Sequence, residues 1–423
     1  MVSFVLRNVR TMDKAGTFDI FISGEKIDRI VPSGSVASEV PGFDGGGSIA
    51  LPSFIDSHVH LDKAFLIYGS EYQKNTAERY RVTRELKSTF SHIQLDKAIF
   101  IEGKEDQEII SKKARINKEI KSAFTKDNVK ERASRGIQMA VSNGTGRMRT
   151  SADIDPMVGI LCLEALLELK KESGQLVDLQ VVAFAQEGLF RHDNSIELLR
   201  KAMELGADLL GGHTGMDANP ADHINTMLAL AKEHNVDVEF HVDESGKPGD
   251  FWVVRLARSV MEAGYEGRVS AIHCCSLAAI ENSKAKDAIK MIKDAGMNVV
   301  VGPQIIGPTR KITRVAELME AGVNVALGSD NLRGTWYPLG NANLMLSCYL
   351  LTAVNRLFSG QAFEELHNLI TYNGARVLKV SDYGLAEGRM ADIVVLQGES
   401  FWDALLVQRP VKAVLKRGKL LNV

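Results

Sequence analysis

The 423-residue chain carries a formal charge of −2 at pH 7, with 45% apolar and 25% charged residues, the balance of an ordinary globular protein. It contains no long run of one charge sign and no apolar run of bilayer-spanning length, so a small molecule is expected as partner, with no nucleic acid and no membrane. Its four cysteines, Cys162, Cys274, Cys275 and Cys348, make neither a disulfide framework nor a C-x-x-C zinc motif, which fits a reducing compartment.

The opening residues lack the basic region and apolar core of a secretion signal, and predict the first strand of a cytoplasmic protein. Residues 1–52 hold short β-type runs, Phe4-Val-Leu-Arg-Asn-Val and Phe18-Asp-Ile-Phe-Ile-Ser, punctuated by glycine. Residues 381–423 return to that texture in Ala391–Leu396 and Val411–Leu421, so the two chain ends are expected to build one small β-sandwich domain. Between them, residues 53–380 alternate apolar β-rich runs with helical periodicity, the pattern of parallel strands joined by helical crossovers. The candidate strands are Ile49–Ile55, Gly146–Thr150, Leu179–Phe184, Asp208–Gly211, Val236–His241, Val269–His273, Asn298–Val301 and Val323–Gly328; eight of them predict an α/β fold, a distorted (β/α)8 TIM barrel. Helices are expected over Pro156–Lys171, Ala221–Glu233, Trp252–Ala263 and Ile312–Ala321. Residues 65–126 break the pattern. Helix-like at Ala77–Lys87 and Asp106–Phe124, they predict an insertion above the barrel mouth that serves as a lid, a subunit contact or a solvated hairpin.

The chemistry begins in Leu51-Pro-Ser-Phe-Ile-Asp-Ser-His-Val-His-Leu-Asp-Lys63. His58 and His60 stand two residues apart, so the alternation of a strand turns both imidazoles to one side. Alone, such a pair is as compatible with structural histidines as with half a metal site. Three further strands, however, end at His241, at His273 and just before Asp330, all at the C-terminal ends where barrels hold their chemistry. Imidazole and carboxylate together suit zinc or iron, and one divalent ion is expected here. Such an ion lowers the pKa of a bound water from about 15.7 towards 7. Glu244, three residues past His241, is placed to shuttle that water's proton, Asp330 to ligate the ion, and His273 to orient or polarise the reacting group. Metal-assisted hydrolysis is the reaction class implied. His92, His234 and His367 fall in helix-like contexts, and His192 and His223 beside loops or helix starts, which places all five at the surface. His213, in Gly211-Gly-His-Thr-Gly215, reaches the pocket end of its strand without a partner at fixed spacing, and its role stays open.

At these residues the chain resembles the amidohydrolase superfamily, in the branch of the cytosine deaminases and N-isopropylammelide isopropylaminohydrolase. The motifs are Phe54-Ile-Asp-Ser-His-Val-His-Leu-Asp-Lys63, Val181-Val-Ala-Phe-Ala-Gln-Glu-Gly188, His241-Val-Asp-Glu244, Ile312-Thr-Arg-Val-Ala-Glu-Leu-Met319 and Gly328-Ser-Asp-Asn-Leu-Arg-Gly-Thr-Trp-Tyr-Pro-Leu-Gly340. The resemblance implies one divalent metal held by His58, His60, His241 and Asp330, with His273 as adjacent base or polariser and Glu244 as proton shuttle. It also implies that Gln186 binds the ring edge and Trp336 walls the pocket, with Lys63, Ser151 and Asn331 among the substrate-binding residues. Cytosine deaminases carry a second carboxylate where this chain has Asn331, whereas His-Val-Asp-Glu is deaminase-like and Ser151 replaces a histidine of both relatives.

The expected function is hydrolysis of a non-peptide C–N bond in a cyclic amidine, as a cytosine deaminase-like hydrolytic deaminase of a small nitrogen heterocycle using metal-bound hydroxide. The alternatives are an N-dealkylating aminohydrolase of an alkylamino-triazine-type ring and a non-catalytic metal-binding barrel. A homo-oligomer is expected.

Overall fold

The computed structural model describes residues 2–36, 39–66, 115–304, 311–337 and 339–422. Four strands open the chain: β1 (Phe4–Arg10), β2 (Phe18–Ser23), β3 (Lys26–Pro32) and β4 (Gly42–Pro52). They join β13 (Ile393–Leu396), β14 (Val411–Lys416) and β15 (Lys419–Leu420) in one seven-stranded sheet, ordered β15-β14-β13-β4-β1-β2-β3. Ile27 on β3 and Leu415 on β14 lie near opposite edges of this sheet yet share one apolar cluster with Leu6, Ile20, Ala50 and Ile393. Ile27 N–H also donates to Arg389 O, so the sheet curls until its far edge meets the start of β13.

A second, all-parallel sheet runs in chain order: β5 (Phe54–Val59), β6 (Thr145–Asp153), β7 (Asp178–Ala185), β8 (Leu209–His213), β9 (Val238–Val242), β10 (Val269–His273), β11 (Asn298–Val301) and β12 (Asn324–Leu327). Each crossover carries a helix: α1 (Lys126–Ser142), α2 (Leu161–Glu172), α3 (Ser195–Glu204), α4 (Pro220–His234), α5 (Val253–Glu262), α6 (Asn282–Asp294) and α7 (Val315–Glu320). The local signals are ordinary. Around α4, Asn219 accepts from Ala221 N–H at the N-cap, Pro220 occupies the first turn, and Asn235 ends the helix in the left-handed region. Strands such as β7 are buried along almost their whole length, because helices cover one face and the barrel interior fills the other.

The barrel closes between β12 and β5. Asp330 N–H donates to His58 O at 2.9 Å, and His60 N–H donates to Asp330 O at 2.8 Å. The approach requires glycine at 328, where a Cβ would stand 2.5 Å from His58 O. Fully buried Asp56 latches the same seam, accepting from Ser329 N–H at 2.9 Å and from the Ser329 hydroxyl.

Several expected boundaries shift. The run Ile49–Ile55 is two strands, since β4 belongs to the curled sheet and β5 to the barrel. The chain changes sheets at Ser53, whose N–H pairs with Asp392 O. The helix expected from Pro156 begins at Leu161, after a turn in which the Asp155 carboxylate accepts from Met157 and Val158 N–H. Of the expected insertion helices, Ala77–Lys87 lies outside the described residues, whereas residues 115–121 are helical and lead towards α1.

Replacing Asp56 by Ala strands the Ser329 donors in a buried seam, at a cost of about 1–3 kcal/mol per unsatisfied group. Amide exchange at Ser329 and Asp330 is expected to accelerate about tenfold or more, with β8 amides unchanged. Equal acceleration on both sides of the barrel would show that Asp56 supports the whole core and not the closure.

Candidate active site

Strand ends bring the expected residues together. His58 Nε2 lies 3.2 Å from His60 Nε2 and 3.0 Å from His241 Nε2. Asp330 completes the group, with Oδ1 at 3.6 Å from His60 Nε2 and Oδ2 at 3.8 Å from His273 Nε2. All five side chains are buried. His273 and Asp330 hold φ of +75° and +57°, in the left-handed region that non-glycine residues avoid at a cost of about 1–3 kcal/mol each.

Glu239, two residues before His241 on β9, shares its inward face and places Oε1 3.0 Å from His58 Nδ1. A carboxylate there accepts the Nδ1 proton, which leaves the His58 Nε2 lone pair facing His60 and His241. Burial opposes protonation of His58 and the Glu239 charge favours it, and the net effect raises His58 above the ordinary histidine value. Burial and the neighbouring positive charge of Lys63 push His60 well below it, and burial together with His58 does the same to His241. Three imidazole nitrogens thus converge on one point, where the single lone pair of His58 Nε2 can accept from only one of the other two. Nitrogens about 2.0–2.1 Å from one tetrahedral ion would stand roughly 3.3 Å apart, close to what is seen. The donor set fits a divalent cation held by His58, His60 and His241, with Asp330 alongside.

Glu244 lies beside this group, its Oε2 4.0 Å from both His241 Nδ1 and His273 Nε2, with 34% of the side chain exposed. Burial would raise its carboxyl, but the neighbouring His273 and His213 overcome that and hold it at about 2. At neutral pH it is thus a proton acceptor. His213 Nε2 stands 3.0 Å from Glu244 Oε2, so the histidine left without a partner by sequence spacing belongs to the site.

The residues expected to bind substrate distribute unevenly. Lys63 Nζ donates to Gln186 Oε1 at 2.7 Å and to Asp153 Oδ1 at 2.8 Å. Asn331 donates from Nδ2 to Asp330 Oδ1 at 2.7 Å, so one of its amide protons already serves a site carboxylate. Trp336 is half-buried in the same loop, next to Thr335, whose hydroxyl donates to Asn117 Oδ1 from the end of the insertion. Ser151 sits deeper, its hydroxyl 3.4 Å from Glu239 Oε1. His223, expected at the surface, is fully buried: its Nδ1 meets Asp217 Oδ2 at 2.6 Å, and Asp217 also accepts from Leu189 and Phe190 N–H just after Gln186. The helix-start context misled because α4 turns that residue inward against Gly212.

Glu239 was legible in principle, from the alternation Val-Glu-Phe-His that gives it the same face as His241. Glu239→Gln keeps the shape and removes the charge that holds the His58 proton. Loss of such an orienting partner typically weakens metal binding about 10–100-fold. Chelator competition followed by elemental analysis should show that loss, and unchanged retention would make Glu239 a packing residue only.

Comparison with known proteins agrees with this architecture. Residues 99–421 match the amidohydrolase family, beginning downstream of His58 and His60. The chain is 32% identical to N-isopropylammelide isopropyl amidohydrolase of Pseudomonas sp. (strain ADP) over 99% of this chain and 96% of that protein. It is 24% identical to pterin deaminase of Rhizobium rhizogenes, over 96% of this chain and 87% of that protein. The structure superposes on 5-methylcytosine deaminase from Klebsiella pneumoniae, liganded with 5-fluorocytosine, with a TM-score of 0.84 and 26% identity over 99% of this chain and 97% of that one. The chain belongs to the amidohydrolase family, hydrolases of C–N bonds.

Proposed function

We propose that this amidohydrolase cleaves the exocyclic C–N bond of a small, oxo-substituted nitrogen heterocycle, a cyclic amidine, releasing ammonia or an alkylamine. The observation that carries the reading is the convergence of His58, His60, His241 and Asp330 with ionised Glu244 at one edge. One zinc or iron ion bound by the four would supply an acidified water as nucleophile at neutral pH.

The chain's own groups do the rest. Glu244 accepts one proton from the attacking water and passes it to the ring nitrogen, then accepts the second from the added hydroxyl and passes it to the leaving amine as the C–N bond breaks. His273 Nε2 is buried without a hydrogen-bond partner among the described residues, and it is available to polarise the carbon under attack. The lysine ammonium has only donors, so Gln186 Oε1 is committed to Lys63 and the Gln186 amide is left with N–H groups to offer. An oxo group or unprotonated ring nitrogen is the edge it selects. A ring that left those donors unpaired would lose about 1–3 kcal/mol. Asn331 and Trp336, on the loop that follows Asp330, are the other groups assigned to hold the ring.

A second reading, with an alkylamine as the leaving group, is favoured by one observation: the relative at 32% identity over almost the whole chain is named for removing an isopropyl-bearing amine, whereas the pterin deaminase stands at 24%. The two readings share one site and differ only in what leaves it.

Incubating metal-loaded protein with amino- and alkylamino-substituted pyrimidines, triazines and pterins, and assaying ammonia and alkylamine separately, decides between them. Turnover of at least one oxo-substituted ring is expected, and no release from any ring by fully loaded protein would overturn the proposal. With the best ring, Glu244→Gln should lower kcat by about 10²-fold or more while metal content stays unchanged, since positioned acid–base groups contribute roughly 10²–10⁴.

A further inference from the structure

We infer that His213 is the positioning residue for Glu244, the group that fixes its carboxylate at the reacting edge; the role assigned to Glu244 rests on the proposed function. The side chain of Glu244 has one hydrogen-bond partner among the described residues, and it is His213 Nε2 at 3.0 Å. The other groups near that oxygen, His241 Nδ1 and His273 Nε2, stand at 4.0 Å, too far to hold its orientation. Glu244 follows a sharp turn at Asp243, whose φ is +57° and whose carboxylate caps α5 through Trp252 and Val253 N–H. Its backbone is therefore fixed, while its partly exposed side chain depends on one bond.

The ring of His213 is placed independently of that bond. In the parallel register of β8 and β9, His213 lies opposite His241, and the two rings stand 5.5 Å apart. Thr214 fastens the turn that follows, its hydroxyl donating to His241 O at 2.8 Å. Gly215 leaves the space the ring occupies, since a Cβ there would come within 3.3 Å of His213 Cε1. His213 Nδ1 is buried and has no partner among the described residues. A proton on Nδ1 would be buried without an acceptor, whereas one on Nε2 is accepted by Glu244, so these partners assign the donated proton to Nε2. The oxygen that faces His241 and His273 is thereby the one that is held, and with it the carboxylate keeps its place at the site.

Two substitutions separate this role from packing. His213→Phe keeps a ring and removes the donor, whereas His213→Gln restores an amide N–H near the place of Nε2. With the best ring from the substrate panel, the Phe variant is expected to lose about 10- to 100-fold in kcat, with KM within a few-fold and metal content unchanged, because misplacing a reacting group by 1 Å costs on the order of 10². The Gln variant should recover most of that loss. A shared defect in both variants, or a raised KM with kcat preserved, would overturn the inference. Crystal structures of the two variants decide without any substrate. The Glu244 carboxylate should leave its position near His273 in the Phe variant and keep it in the Gln variant, and an unmoved carboxylate in both would overturn the inference whatever the substrate proves to be.

Discussion

The structure depends on one seam. A parallel barrel must bring its last strand beside its first, and here the two backbone hydrogen bonds that do so run between Asp330 and the pair His58 and His60. Closure therefore brings Asp330 to His58 and His60, while His241 reaches the same point from β9. Gly328 permits the approach, Asp56 and Ser329 secure it from below, and the residues that carry the chemistry emerge just above. Any substitution that loosens the seam should move the ligands before it unfolds the barrel.

Electrostatics then determines what can stand at that point. Burying three imidazoles and a carboxylate together costs solvation, and the protein offsets it by pairing. Glu239 takes the outer proton of His58, Arg149 stands with NH1 3.8 Å from the far oxygen of Glu239, and Asn331 donates to Asp330. A parallel arrangement organises the surroundings of Gln186. Lys63 and Lys121 both reach Asp153, so a buried chain of charges ties the end of the insertion to Gln186. Loss of the Lys63 charge would leave the Gln186 amide free to turn over.

Much of this was legible in the sequence because strand ends are simple. His58, His60, His241, His273 and Asp330 each follow an apolar β run, and the period of two gives their direction without any tertiary information. Glu239 obeys the same period, but a glutamate within a strand reads as a solvent-facing residue until the barrel interior is known. His213, whose role the sequence leaves open, and His223, which it places at the surface, are each defined by a partner, Glu244 and Asp217, that the period of their own strand or helix does not reveal. The strand placed at Ile49–Ile55 failed because one continuous apolar run feeds two sheets, and the change at Ser53 depends on the returning strand β13. The family resemblance adds expected roles that periodicity does not contain, above all those proposed for Gln186 and Trp336.

The central claim is that the seam residues form one metal site and that this site defines the enzyme. Anomalous diffraction from crystals of the purified protein, with scans across the zinc and iron edges, tests it most directly. The account predicts a single anomalous peak per chain among His58, His60, His241 and Asp330. A vacant site after metal supplementation of well-folded protein, or two ions bridged across the barrel mouth, would contradict it.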